Sequence, residues 1–384
     1  MIYLDNAATS WPKPEEVYQA VDSCLRSGCA NPGRGGHVMA HRAGRILTDT
    51  REALAGLFHI HDPNQIVFTS NATEAINLAL FGIAQAGWSI VTTAVEHNAV
   101  ARPLRQLERS MGCKVHIISC DKQGRINMKE LKAVIQTGVD LVVIGHASNV
   151  TGVIRPLAEI GQLTKSAGTL FIVDSAQTAG IEDIDVQAMN IDLLAFTGHK
   201  GLLGVQGTGG LYSRSGIALR PQRFGGTGSM SESDVQPDFL PDMLESGTPN
   251  TPGIAGLKAG VEYIKKIGLA AVRNRERQLI TKLMAGLQEI KGISLYGPRL
   301  GEERSALLSF TLDAMDSGTI AYLLDRDYGI ACRAGLHCAP WAHRSLHTLQ
   351  TGAVRLSPGY FNTDQDIDTA IQAVAELACS QRRY

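Results

Sequence analysis

Between about residues 66 and 213 the chain alternates short apolar runs with longer segments whose apolar positions recur at helical spacing. The runs QIVFT, SIVTTA, KVHIIS, DLVVIGH, LFIVD, DLLAF and GGLYS are rich in β-branched and aromatic residues and read as strands. Strands alternating with helices predict a mostly parallel sheet covered on both faces. The intervening segments predict helices near Thr73 to Ala84, Val100 to Met111, Met128 to Gln136 and Leu157 to Ala167, the last stopped at Gly168. The expected fold class is α/β, with a large domain built on a mostly parallel, seven-stranded sheet.

From Arg220 to Pro252 the pattern lapses into FGGTGSMSESDVQPDFLPD, rich in Gly, Pro, Ser and Asp, which marks a long loop. Beyond it the spacing predicts one long helix from Ile254 to Ile290, a strand SALLSFTL, a helix near Thr319 to Tyr328, strands YGIACR and AVRLS, and a final helix from Asp364. These make a smaller C-terminal α+β domain. The N-terminal DNAATSWPKP is too polar and Pro-rich for a core helix and reads as an arm able to lie over a site. The expected division is therefore an arm over residues 1–15 packing on the small domain, a large domain over 16–255, and a small domain over 256–384 carrying the loop around Cys338.

Composition narrows the partners. With 384 residues, 44% of them hydrophobic, the chain can bury a large core. Its 36 basic and 37 acidic side chains leave no field that would favour nucleic acid or an anionic membrane, so neither is an expected partner. No apolar stretch approaches the ~20 residues that cross a bilayer, and Met1 runs straight into IYLD, so the expected location is cytoplasmic. The seven cysteines (Cys24, Cys29, Cys113, Cys120, Cys332, Cys338 and Cys379) contain no CxxC pair, which argues against a disulfide framework or a zinc finger.

Candidate chemistry gathers at the ends of two of the apolar runs. Asp174 closes FIVD and Lys200 follows LLAF in TGHKG. An acid and an amine so placed can hold an aromatic aldehyde cofactor, the carboxylate keeping a pyridine nitrogen protonated while the amine forms a Schiff base. That is pyridoxal phosphate chemistry. A third feature, VFTSNATEAIN, passes from strand to helix through a polar turn, so the amides of Ala72 and Thr73 could receive a phosphate. Taken singly each has a structural explanation: Asp174 as a helix cap, Lys200 as a surface charge, Thr73 and Glu74 as caps.

In order along the chain, YLDNAAT, NATEAIN, VEHNAV, HASNVTGV, VDSAQ, TGHKG, ESGTPNT and RAGLHCA resemble the class V, fold type I aminotransferase superfamily, and within it the cysteine desulfurases. The resemblance covers essentially the whole chain. It implies that Lys200 carries the cofactor and later moves the substrate Cα proton, that Asp174 pairs with the pyridine nitrogen, and that His97 stacks on the ring and shares the proton work. Gln177 and Asn149 would bond near the ring hydroxyl. Ala72, Thr73, Thr197 and His199 would bind the phosphate, and Thr248 would reach it from a neighbouring subunit, which implies a homodimer. Arg355, with Asn149, Ala8 and Arg333, would hold the α-carboxylate of L-cysteine. An ion pair is the structural alternative for Arg355, and a satisfied loop histidine for His97.

Cys338 lies in CRAGLHCAP, with Arg333 and His337 near enough in sequence to supply positive potential and lower a thiol from its usual value of about 8.5. The resemblance makes Cys338 the nucleophile that takes sulfur from L-cysteine as a persulfide, leaving alanine. The segment is similar to the SufS-like group, in which a short loop carries the cysteine, and this implies a SufE- or SufU-type acceptor protein. The sulfur would serve iron-sulfur clusters or other thio-cofactors. Leu336 and Trp341-Ala342-His343 depart from commoner members. A small buried hydrophobe and a metal site with Cys332, His337, His343 and His347 are the alternatives for this cysteine. For the whole chain the alternatives are a selenocysteine lyase, an aminotransferase or epimerase that does not need Cys338, and a sulfur-transfer regulatory subunit without turnover.

Overall fold

The chain opens with a two-residue strand, β1 (Ile2–Tyr3), which pairs in parallel with residues 330–331 from the far end of the sequence. The structure, a computed structural model, describes residues 1–27, 30–33, 35–313 and 315–380; Cys29 lies outside them. Two helices that the apolar pattern does not predict follow, α1 (Glu15–Ser27) and α2 (Val38–Phe58). Glu15 and Glu16 in the first turn of α1 and Arg26 in its last complement the helix dipole.

The seven predicted runs form one sheet from β2 (Ile66–Thr69), β3 (Ser89–Thr93), β4 (Lys114–Ile118), β5 (Leu141–Gly145), β6 (Leu170–Asp174), β7 (Leu193–Thr197) and β8 (Gly209–Ser213), in the spatial order β2-β8-β7-β6-β5-β3-β4. Strands β7, β6, β5, β3 and β4 run parallel, while β8 is antiparallel to both its neighbours. Two successive reversals return β2 to the direction of β7, so the carboxyl ends of β2, β3, β5, β6 and β7 share one edge. Ligands of α/β sheets collect at that edge.

Helices α3 (Ala72–Ile83), α4 (Asn98–Met111), α5 (Met128–Ile135) and α6 (Leu157–Ala167) begin within two residues of their predicted starts. Gly168 ends α6 at φ 68°, a left-handed conformation that glycine adopts without a Cβ penalty, and its N–H reaches the carbonyls of Thr164 and Lys165. The predicted helix from Ile254 to Ile290 is instead two, α7 (Thr251–Ile267) and α8 (Leu269–Leu287), broken at Gly268 with φ 89°. Apolar spacing runs through the junction because both helices have a buried face, which conceals the break. α7 packs on α1 and α2, whereas α8 packs on the C-terminal helix.

A second sheet is antiparallel and four-stranded: β9 (Ile293–Tyr296), β10 (Leu308–Leu312), β12 (Arg333–Gly335) and β13 (Ala353–Leu356) stand in the order β12-β13-β10-β9. The predicted strand YGIACR splits at Cys332 into β11 (Ile330–Ala331), which holds β1, and β12. α9 (Ser317–Tyr328) precedes this split, and the short α10 (Pro340–Ser345) and final α11 (Asp364–Ser380) follow it. Leu283, Phe310, Leu324, Val354, Ile367 and Val374 form the core here, joined by Leu4 from the N-terminal arm. Each fully buried side chain of that size contributes roughly 1.5 to 3 kcal/mol, so Leu4 helps fix the arm.

Candidate active site

Asp174 is the last residue of β6, and Lys200 lies just past the end of β7. Register sets Asp174 beside Ala195 of β7, so the two functional groups leave the sheet edge side by side. They line one crevice with Ala72, Thr73, His97, Asn149, Gln177, Thr197 and His199, all residues expected from the sequence. Gly209 of β8 stands between Thr69 of β2 and Thr197 of β7. A Cβ there would come within 2.8 Å of the Asn71 Cα, so glycine lets the start of α3 close onto the sheet. Asn71 caps α3 by accepting the Glu74 amide at 2.9 Å. The amides of Ala72 and Thr73 have no acceptor among the described residues, which leaves them at the positive helix end for an anion.

Burial dominates the electrostatics. It pushes the Asp174 carboxyl up to about 6, against the pull of the Ala176 amide at 2.9 Å and of Lys200. Burial, followed by the Arg355 charge, brings the Lys200 amine down to about 8, so an appreciable fraction is unprotonated and nucleophilic near neutral pH. His97 caps α4, its Nδ1 accepting the Ala99 amide at 3.0 Å. Burial and then Lys200 lower it to about 4, so the ring is neutral with its proton on Nε2.

Two buried polar atoms of the crevice residues, His199 Nδ1 and Asn149 Oδ1, have no hydrogen-bond partner among the described residues. Such atoms cost about 1 to 3 kcal/mol each when left unpaired, and they mark where a polar ligand completes the structure. Together with the free α3 amides, the donor set fits a phosphorylated, hydroxyl-bearing pyridine.

The arm lies over this crevice. Gln177 Nε2 donates to the Ala7 carbonyl at 3.1 Å, the Ser10 amide to the His199 carbonyl at 3.0 Å, and Ser10 Oγ to the Lys200 carbonyl at 2.9 Å. Lys13, which no motif singles out, donates to Ser10 Oγ at 2.7 Å and to the His199 carbonyl at 2.9 Å; burial lowers it to about 8. Glu96 is a second unforeseen member. It accepts the Gly145 amide at 2.9 Å and faces Arg155 at 3.7 Å, both side chains buried in the crevice wall. Lys13 sits in a Pro-rich arm and Glu96 beside a histidine, without spacing that would mark either. Ala8 is not among the residues lining the crevice; its amide donates to the Asp5 carbonyl at 3.0 Å. Thr248 lines a separate crevice with Ser70, Glu74 and Arg223.

Arg355 is buried on β13. Its Nη1 donates to the Asn149 carbonyl at 3.0 Å and its Nη2 to Asp5 Oδ1 at 3.0 Å, while its buried Nε has no partner. Arg333 faces Arg355 directly across β12 and β13, and donates to the same Asp5 carboxylate, Nη2 to Oδ2 at 2.9 Å. Like charges directly opposed on a sheet are unfavourable, and Asp5 offsets them. The ion pair expected as an alternative for Arg355 is therefore present.

Cys338 is exposed, which rules out the buried-hydrophobe reading. His337 at φ 51° and Cys338 at φ 55° are consecutive left-handed residues, each costing on the order of 1 kcal/mol or more. Two bonds hold that shape: Asn149 Nδ2 donates to the His337 carbonyl at 2.6 Å, and the Asn98 amide to the Cys338 carbonyl at 2.7 Å. The loop is thus tied to the crevice wall and to the residue after His97. The expected positive potential from His337 is not found. Burial, then Arg355, lowers His337 to about 3, and its Nδ1 meets His343 Nε2 at 3.1 Å; His343 Nδ1 meets Thr348 Oγ1 at 2.8 Å. Among the described residues, no group of three or more His, Cys, Asp or Glu could hold a metal ion.

A fold with one amine and one carboxylate at neighbouring strand ends, and an anion cradle at the adjoining helix, defines a class, and comparison with known proteins agrees. The family model Aminotransferase class-V matches residues 2–369. The chain belongs to that family, whose membership implies a pyridoxal phosphate cofactor. It is 34% identical to a probable cysteine desulfurase of Methanothermobacter thermautotrophicus, covering 98% of this chain and 94% of the relative. It is 32% identical to a cysteine desulfurase of Yersinia pestis, over 98% and 93% respectively. Among solved structures, an apo cysteine desulfurase from Thermococcus onnurineus superposes with a TM-score of 0.92 at 33% identity, covering 99% of this chain and 95% of that one. The cysteine desulfurase CsdA of Escherichia coli, solved with an S-sulfonic acid, gives 0.88 at 32% identity, over 99% and 95%.

Proposed function

We propose that this protein is a homodimeric, pyridoxal phosphate-dependent cysteine desulfurase that converts L-cysteine to L-alanine and passes the sulfur through a persulfide on Cys338. The observation that carries the reading is the tie between the Cys338 loop and the crevice of Lys200 and Asp174, made by Asn149 and Asn98. The cofactor, when bound, withdraws electrons from the substrate Cα. Lys200 would anchor it and move the Cα proton, and Asp174 would hold a proton at the ring nitrogen. His97, neutral, would lie against the ring and pass a proton through Nε2. The amides of Ala72 and Thr73, with Thr197 and His199, would receive the phosphate. Arg355 anchors the α-carboxylate. The Cys338 thiolate attacks the substrate sulfur; the S–S bond forms as the C–S bond breaks, the electron pair returns to the carbon skeleton, and a proton completes alanine.

Thr248 completes the phosphate site of a second subunit in this reading, which is supported by its separation from the crevice of its own chain. We place the domain division at Gly268 rather than after residue 255, which falls inside α7, because α7 packs with α1 and α2. The arm is read as bridging both parts. A SufE- or SufU-type acceptor would approach the exposed Cys338 to serve iron-sulfur or thio-cofactor synthesis. A reducing, cytoplasmic setting suits the free cysteines; no helix among the described residues is long and apolar enough to cross a membrane. The test is joint assay of alanine and sulfide from L-cysteine with pyridoxal phosphate and a reductant. Equimolar products are expected, and sulfide-free turnover or none would overturn the reading.

A further inference from the structure

Asp5 carries no role in the chemistry above, yet it is the carboxylate on which both arginines of the substrate end converge. Arg355 donates to its Oδ1 at 3.0 Å; Arg333 donates to its Oδ2 at 2.9 Å through Nη2 and at 3.1 Å through Nε. The Asp5 side chain is 12% exposed and that of Arg355 3%, so this pair interacts with little screening by water, whereas Arg333, 47% exposed, is partly screened. Two cations and one anion leave the cluster with one net positive charge. A guanidinium has five N–H donors, and with Nη1 and Nη2 engaged, the buried Nε of Arg355 still lacks a partner. One N–H on each terminal nitrogen of Arg355 and the unpartnered Nε remain, so the site retains one net positive charge and donors for one further carboxylate.

We propose that Asp5 is a specificity-determining residue: by neutralising one of the two arginines, it matches the anchoring site to amino acids with a single anionic group and disfavours those with a second anion on the side chain. It acts through Arg355 and Arg333 and does not itself touch the substrate. The arm supplies the geometry. Leu4 is locked into the core beneath β13, and Asp5 bridges to Ser357 at the end of that strand, so the carboxylate is held in place at little entropic cost. With Asp5 neutral, the cluster would hold two net positive charges and accept a dianion.

This inference rests on the functional reading above, and its test separates the two. The holoenzyme is titrated with L-aspartate as the dianionic probe and L-alanine as the monoanionic one, following the visible absorbance of the bound cofactor, and each is measured as a competitive inhibitor of L-cysteine turnover. In Asp5→Asn the affinity ratio of aspartate over alanine should rise roughly tenfold, equivalent to about 1.4 kcal/mol; Asp5→Glu should restore the parent ratio. Arg333→Gln, which removes a positive charge and leaves Asp5 intact, should move the ratio the other way, so the proposal stays testable if Asp5→Asn does not fold. A ratio unchanged in both charge variants overturns the role of Asp5 while leaving the desulfurase reading intact. Absence of cofactor absorbance in the parent protein overturns the functional reading itself.

Discussion

The crevice and the Cys338 loop solve opposite problems with opposite means. Lys200, Asp174 and His97 sit at the ends of buried strands, and burial moves all three toward neutrality: the amine and imidazole down, the carboxyl up. Cys338 is exposed on a loop of strained backbone whose shape is set by two carbonyl hydrogen bonds from the crevice side. A cofactor needs dry, fixed groups with tuned protonation, whereas a sulfur that must leave on another protein needs access. The difference suggests that changes in the crevice act on cofactor binding and proton movement together, while changes in the loop act on sulfur transfer alone.

The widest separation should come from Lys200→Ala, which is expected to abolish the visible absorbance of the lysine-bound cofactor and to lower alanine formation by roughly 10⁴-fold or more, the upper range for a lost acid-base group. Retained absorbance with full turnover would break the comparison from the crevice side. Cys338→Ala should leave that absorbance intact yet reduce sulfide release to background, read in the same assay. Undiminished sulfide would contradict its nucleophilic role.

Asp174→Asn should cost about 10²-fold in turnover, the worth of a charged hydrogen bond of up to about 3 kcal/mol, and should shift the cofactor spectrum without releasing the cofactor. The pH dependence sharpens the same side. Because the Lys200 amine titrates near 8 rather than 10.5, capture of pyridoxal phosphate by apoprotein should accelerate as the pH rises toward about 8 and then level, as followed by stopped-flow absorbance. Continued acceleration to 10 would mean an amine in ordinary surroundings. The smallest effect is expected from His343→Ala, which removes the partner of His337 beneath the loop. About a fivefold loss of sulfur transfer with an unchanged spectrum is expected, for a net hydrogen bond of about 1 kcal/mol.

Much of this was legible in the chain because a strand buried on both faces needs a continuous apolar run, and Asp174 and Lys200 interrupt two such runs at their ends. The antiparallel placing of β8 was not legible: GGLYS reads as a strand, but nothing local states its direction or its neighbours. Gly268 hides inside uninterrupted helical spacing. Asp5 escapes for a related reason. Its significance depends on β1 pairing with β11 and on β12 facing β13, contacts separated by more than three hundred residues in the first case. His337 shows the converse error, since proximity in sequence suggested a cation where burial makes the ring neutral.

The most direct test of the central claim is mass spectrometry of the protein after brief exposure to L-cysteine and pyridoxal phosphate without reductant, with peptide mapping of all seven cysteines. The account predicts one additional sulfur atom on the Cys338 peptide, absent from Lys200→Ala. Added sulfur on another cysteine, or alanine formed with Cys338 unmodified, would contradict it.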